Sequence, residues 1–259
     1  MSTSDNPDGG LLSKATGDAA KSDIATRYQT LLHRISEQEQ RWQRAPSSVL
    51  LLAVSKTHPP ERVREAYAAG ARHFGENYVQ EALEKIQALA NPQSHTPDVV
   101  WHFIGPIQSN KTRDIAASFH WVHSVDRLRI AQRLHDQRPA QLPPLNVCVQ
   151  VNLSAEASKS GVSLEEADAL CEVINSLPRL RMRGLMAIPA PETRFEHQRA
   201  AFRPLRELFE RLQKRFPAMD TLSIGMSDDY RAAIAEGSTI IRIGTAIFGQ
   251  RATHRDTAP

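Results

Sequence analysis

Residues 49–75 read VLLLAVSKTHPPERVREAYAAGARHFG, and the pattern within them decides the fold. Val49 to Ser55 is a short, nearly continuous apolar run, as expected of a strand covered on both faces. Pro59 and Pro60 stand where a helix opens, because a proline in the first helical positions forfeits no intrahelical hydrogen bond. Gly70 stands where that helix closes, and a second strand-like run, Arg72 to Gly75, follows at once. Strand, helix and strand in this order make a βαβ unit.

The same unit recurs along the chain. Further strand-like runs fall at Val99–Gly105, Trp121–Val125, Leu145–Asn152, Leu180–Ile188, Thr221–Met226 and Thr239–Gly244. Between them lie stripes at three- and four-residue spacing, such as Val79, Ala82, Leu83, Ile86 and Leu89, or Phe202, Leu205, Phe209, Leu212 and Phe216. Ser227, followed by Asp228 and Asp229, is expected to cap the helix after the seventh run. Eight such units in about 250 residues are the size of a (β/α)8 barrel. A doubly wound open sheet is built from the same units, and counting strands does not separate the two. Ile24, Tyr28, Leu31, Leu32 and Ile35 place an amphipathic helix ahead of the barrel. The expected organisation is a disordered tail over 1–22, rich in Ser, Asp and Gly, one α/β barrel domain over 23–250, and a short tail over 251–259.

Composition excludes several classes of function. Charge nearly cancels, 32 Lys+Arg against 29 Asp+Glu, and no block of five like charges occurs, so a nucleic-acid partner is not expected. The longest apolar run, Val49 to Val54, is far short of the ~20 residues of a membrane helix. Cys148 and Cys171 sit in apolar surroundings and are expected as buried free thiols. The N-terminus lacks the charged start and apolar core of a signal peptide, so the cytoplasm is the expected compartment.

Four candidates for chemistry remain. Gly105 to Thr112, GPIQSNKT, matches a phosphate-binding P-loop except that Asn110 replaces the second glycine. Pro106 removes an N–H from such a cradle and no magnesium-binding aspartate strand accompanies it, so nucleotide hydrolysis is not expected. His102, His120 and His123 cluster near strands 3 and 4 without a carboxylate at ligand spacing, so no metal is expected. Lys56 ends the first strand run, where a barrel would carry it to the face that holds active sites. It can reach solvent there as an ordinary lysine, or form a Schiff base with an aldehyde, and position alone does not choose. Ser227 after strand 7 and Gly244-Thr245 after strand 8 fall where barrels often bind phosphate. A Schiff-base lysine facing a phosphate cup describes a site for pyridoxal 5′-phosphate (PLP).

The stretches LLAVSKTHPP, FGENYVQEALEKI, WHFIGPIQSNKTR, KSGV, RGLMAIPAP, LSIGMSDDYRAAIAEGST and IRIGTAIFG together resemble the PLP homeostasis proteins of the YggS/PROSC type, from about residue 24 to Gly249. The resemblance implies a single (β/α)8 TIM barrel similar to the N-terminal domain of alanine racemase. It implies that Lys56 carries PLP as an internal aldimine, that Ser227, Gly244 and Thr245 hold the phosphate with Met226 alongside, that Asn77 lies beside the cofactor, and that Arg242 faces the pyridine nitrogen. It also implies binding, buffering and delivery of PLP, with apo forms of PLP-dependent enzymes as partners, by a monomer without a reaction of its own. An amino-acid racemase or decarboxylase of the alanine racemase type is the alternative. An arginine stays charged and cannot hand the ring nitrogen a proton, which favours the carrier. The stretch after Gly249 is also too short for the additional C-terminal β-domain that brings a tyrosine to alanine racemase-like enzymes.

Overall fold

A computed structural model of the chain describes residues 15–90, 96–154 and 160–249, with side chains from Ile24 onward. Eight strands, β1 (Leu50–Val54), β2 (His73–Glu76), β3 (Val100–Phe103), β4 (Trp121–Val125), β5 (Leu145–Val151), β6 (Leu180–Ala187), β7 (Thr221–Ser223) and β8 (Ile240–Ile243), pair in chain order and all in parallel. β8 returns to β1 in the register Leu50↔Ile240 to Ala53↔Ile243, which closes the barrel and excludes the open sheet. Seven of the eight expected runs contain their strand, and the second, Arg72–Gly75, overlaps β2, which extends one residue further to Glu76.

Helix α1 (Ala15–Arg41) precedes the barrel. After the strands come α2 (Pro60–Ala68), α3 (Val79–Leu89), α4 (Thr112–Ser118), α5 (Leu128–Gln137), α6 (Leu164–Asn175), α7 (Phe195–Gln213), α8 (Tyr230–Ala235) and α9 (Thr245–Phe248). α2 opens at Pro59-Pro60 and ends before Gly70 as its punctuation predicts. α6 opens with a capping box: Ser163 Oγ accepts from the Glu166 N–H while the Glu166 carboxylate accepts from the Ser163 N–H. α8 departs from expectation. It starts at Tyr230 with Asp229 in the capping position, two residues beyond Ser227, because the turn is closed by Asp229 and Tyr230 N–H groups on Met226 O.

The alternation of each strand divides the buried side chains into two shells. Phe74, Trp101 and Phe103 face the helices, where Phe103 meets Phe119 edge-on at 5.3 Å beyond the end of α4. Truncating a buried phenylalanine of this outer shell costs ~3–5 kcal/mol. Leu52, His102, His123, Cys148, Ser223 and Arg242 are also buried, but they face the barrel axis and lie outside that apolar cluster. The axis is therefore unusually polar, and its groups are hydrogen-bonded to one another.

α1 lies against α2, α8 and α9 through Ile24, Tyr28, Leu31 and Ile35, whereas Leu32, counted in the same stripe, is exposed. Its last turn is tied to β1 by Glu39, whose buried carboxylate accepts from the N–H groups of Ser47 and Val49. The tail expected over 1–22 falls outside the described residues as far as position 14, and α1 begins within its remainder. The C-terminal tail also falls outside them. Both cysteines are buried free thiols, each pushed up by burial, Cys171 to about 12.

Candidate functional site

The carboxyl ends of β1, β2, β7 and β8 build the site. Lys56 follows β1 by two residues and is half-buried. Its neighbours are held from below. The Lys85 ammonium donates to Ser55 O at 2.7 Å, to Glu76 Oε1 at 2.7 Å and to Glu81 Oε1 at 2.6 Å. Ser55 Oγ donates to Glu76 Oε1 at 2.6 Å, and the Thr57 N–H donates to Glu81 Oε1. Thr57 has φ 66°, a left-handed conformation that costs a β-branched residue energy, and the Glu81 contact secures it. Lys56 is thus bracketed by fixed backbone on both sides. Burial pushes the Glu76 carboxyl up, with Lys85 opposing.

Asn77 directly follows the neighbouring strand, β2. Its amide oxygen is buried without a hydrogen-bond partner among the described residues, so the site offers an acceptor to a ligand donor. Met226 and Ser227, both exposed, follow β7 after Gly225, which has φ 98°. A Cβ on Gly225 would lie 2.6 Å from the Ala233 side chain, so only glycine lets β7 turn this close to α8. Asp229, which would repel an anion if it pointed outward, accepts from the Met226 N–H at 2.6 Å. Burial raises its carboxyl.

Gly244 and the exposed Thr245 begin α9. A Cβ on Gly244 would stand 3.0 Å from Val54 O, so the start of α9 crowds the strand that presents Lys56. Arg242 lies one layer deeper. Its guanidinium donates to Ser223 O at 2.6 Å, Ser223 Oγ at 2.9 Å and Ala187 O at 3.0 Å, leaving two of its five N–H groups for another acceptor. Burial brings it down to about 10, with Asp229 opposing, so it stays charged at neutral pH.

A cavity of about 1140 Å³ opens at this end of the barrel. Asn77, Met226 and Ser227 line it, together with Ile104, Pro106 and the loop Ile188–Thr193. Lys56, Arg242, Gly244 and Thr245, which belong to or follow β1 and β8, are not among its lining residues. The near-P-loop contributes wall rather than cradle. Its Thr112 hydroxyl is buried, donating to Ser109 O and accepting from Arg133, and a 3-10 turn separates Gly105 from α4. Among the described residues, no group of three or more His, Cys, Asp or Glu could hold a metal ion.

The Asn77 amide oxygen, the lysine, the remaining guanidinium N–H groups, the Ser227 hydroxyl in the turn before α8 and the Thr245 hydroxyl at the start of α9 form a set of polar groups that fits PLP. Sequence reasoning missed the Glu76–Glu81–Lys85 bracket. Its signal was the i, i+4 pair of Glu81 and Lys85 in the helix that follows Asn77.

Residues 28–252 match the family model described as alanine racemase, N-terminal domain. The chain is 59% identical over 230 residues to a pyridoxal phosphate homeostasis protein of Pseudomonas aeruginosa, covering 89% of this chain and 96% of that one. It is 54% identical over 229 residues to the protein of the same name from Escherichia coli strain K12, covering 88% and 97%. The solved structure of PipY of Synechococcus elongatus with PLP bound superposes with a TM-score of 0.74 at 40% identity, covering 87% of this chain and 100% of that one. An alanine racemase from Corynebacterium glutamicum shares the fold at 13% identity, with a TM-score of 0.64 over 91% of this chain and 62% of that one.

Proposed function

The chain belongs to the pyridoxal phosphate homeostasis proteins, within the alanine racemase N-terminal domain family, and from that premise we propose how its own residues hold PLP and to what end. It is a PLP-binding protein of cofactor homeostasis. The Lys56 amine makes the covalent link. Ser227 and Thr245 donate hydroxyl hydrogen bonds to the phosphate, and Gly244 admits it close to the backbone. Met226 lies alongside, Asn77 accepts from the cofactor's hydroxyl, and Arg242 donates to the pyridine nitrogen. Bound there, PLP supplies an aldehyde that amines can capture and a conjugated ring that absorbs visible light.

One observation carries this reading: the close approach of Gly244 to Val54 brings the start of α9 beside the strand end that presents Lys56. An amine and a phosphate cup on adjoining strands span one small phosphorylated aldehyde. The role is buffering and delivery rather than turnover. Arg242, buried and charged, can donate an N–H to the ring nitrogen but does not surrender its proton, so the ring remains a weak electron sink. The protein is read as a cytoplasmic monomer whose partners are apo forms of PLP-dependent enzymes. No described helix is long and apolar enough to cross a membrane. Titrating apo-protein with PLP, followed by borohydride and peptide mapping, tests the reading: saturable uptake with the label on Lys56 supports it, and absence of uptake overturns it.

A further inference from the structure

The polar groups on the barrel axis connect into one line, of which only Arg242 is among the proposed contacts to PLP. It starts at Arg242, whose Nη1 donates to Ser223 Oγ at 2.9 Å. Ser223 Oγ lies 2.8 Å from His123 Nδ1, across the barrel from β7 to β4. His123 Nε2 lies 2.9 Å from His102 Nδ1, and His102 Nε2 lies 2.9 Å from His73 Nδ1. Ser223, His123 and His102 are fully buried, while His73, the first residue of β2, is half-buried at the opposite end of the barrel. The rings are held in place: His102 stacks on Trp121 with centroids 5.4 Å apart and an 11° interplanar angle.

The direction of this line follows from its first member. A guanidinium only donates, so Ser223 Oγ accepts from Arg242 and its single proton goes to His123 Nδ1. A neutral His123 then carries its proton on Nε2 and donates to His102 Nδ1, and His102 repeats the step to His73. The reverse order would set two donors on Ser223 Oγ and leave its own buried proton without an acceptor, which is costly. The histidines are held neutral. Burial lowers His123 to about 3, with Arg242 adding to the effect, and drives His102 well below the ordinary histidine range.

We propose that His123, His102 and His73 are positioning residues for Arg242: a one-way hydrogen-bond line, with the proton on Nε2 of each ring, that keeps Ser223 Oγ turned as an acceptor and fixes the guanidinium against the pyridine nitrogen. The proposal rests on Arg242 being the ring-nitrogen partner, but the direction of the line does not require PLP. The hydroxyl of Ser223 is the hinge between the two halves. Replacing His123 by an apolar residue removes the acceptor of that hydroxyl and frees it to turn away from its present orientation. Asparagine at the same place offers an amide oxygen near the position of Nδ1 and preserves it.

Two measurements on the full chain test this. Nitrogen-15 NMR of histidine-labelled apo-protein at neutral pH should show His123 and His102 as neutral rings protonated on Nε2. Either ring protonated on Nδ1, or charged, overturns the direction. In holoprotein, His123→Leu should weaken PLP and pyridoxal by the same factor, about tenfold, as expected when a hydrogen bond to a charged group is disordered. It should also shift the visible band, and His123→Asn should restore affinity and band. Unchanged binding and band in His123→Leu, or equal losses in both variants, overturn the positioning role. If the parent chain binds no PLP, the cofactor reading fails while the NMR still decides the direction of the line.

Discussion

Lys85 reaches back 30 residues to donate to the carbonyl of Ser55, the residue before Lys56, while its ammonium pairs with the fully buried Glu76. The one ammonium bridges two carboxylates, Glu76 and Glu81, and fixes the strand end with one side chain. Lys85→Met would leave the buried Glu76 carboxylate with only the Ser55 hydroxyl as donor and Ser55 O with only the His58 N–H. Stability measured by urea unfolding should fall by about 3–5 kcal/mol, the cost of breaking a buried pair from one side. Replacing both partners, Glu76→Leu with Lys85→Met, should recover more than half of that loss. A single variant that unfolds like the parent would show that the pair does not brace the strand.

Lys56 is the expected attachment point. Borohydride should fix the cofactor to this residue, and Lys56→Ala should abolish the fixed label while leaving weaker, reversible binding through the phosphate contacts. A label that maps mainly to another lysine, or that survives Lys56→Ala, would show that the amine lies elsewhere.

Ser227 and Thr245 are assigned to the phosphate, and pyridoxal, which lacks that group, is the control. Each alanine substitution should weaken PLP roughly ten- to a hundredfold, about 1.5–3 kcal/mol for a hydrogen bond to a charged group, and leave pyridoxal nearly unchanged. Equal losses for both ligands would remove these hydroxyls from the phosphate.

The barrel was legible because its evidence is local. Each strand run and its following helix carry their own period, and Pro59, Pro60 and Gly70 punctuate the first helix without help from the rest of the chain. Lys56, Ser227, Gly244 and Thr245 were legible for a related reason, since a barrel sends every strand's last residues to one face. Asn77, Met226 and Arg242 entered only through resemblance. Nothing local distinguishes an asparagine with a satisfied amide from one whose oxygen lacks a partner, as that of Asn77 does. The axial line was illegible because its links join distant residues, His123 and Ser223 standing 100 positions apart. The near-P-loop misled for the converse reason: a local match whose threonine hydroxyl is consumed by Ser109 and Arg133.

The neutral histidines give stability a pH dependence whose sign is fixed. Unfolded, His102 and His123 titrate near the ordinary histidine pKa; folded, His123 titrates at about 3 and His102 well below its usual range. The unfolded chain binds more protons between these limits, so stability is full above about pH 6.5 and falls as pH drops toward 3. Each such histidine contributes a slope approaching roughly 1.4 kcal/mol per pH unit. Denaturant midpoints measured from pH 7.5 to 4.5 should therefore decline, and His123→Asn should flatten the decline. A profile that His123→Asn leaves as steep would place the acid-sensitive groups elsewhere.

Delivery needs an exit as well as a hold. The cavity at the strand ends reaches solvent beside the exposed Met226 and Ser227, so PLP held at the proposed site would have a route out that requires no unfolding. With Arg242 as the proposed partner of the ring nitrogen, the ring would stay a weak electron sink, and amino acids that enter should exchange with Lys56 without being processed. Holoprotein mixed with excess apo-enzyme of a PLP-dependent type should restore that enzyme's activity and yield apo-protein that reloads. The comparison is an equal concentration of free PLP, with and without a scavenger that removes cofactor released into solution. Activation that survives the scavenger marks direct transfer, and activation that vanishes marks a reservoir. Racemisation and decarboxylation assays on the same holoprotein should give no turnover above that of free PLP. Turnover well above it would defeat the carrier reading.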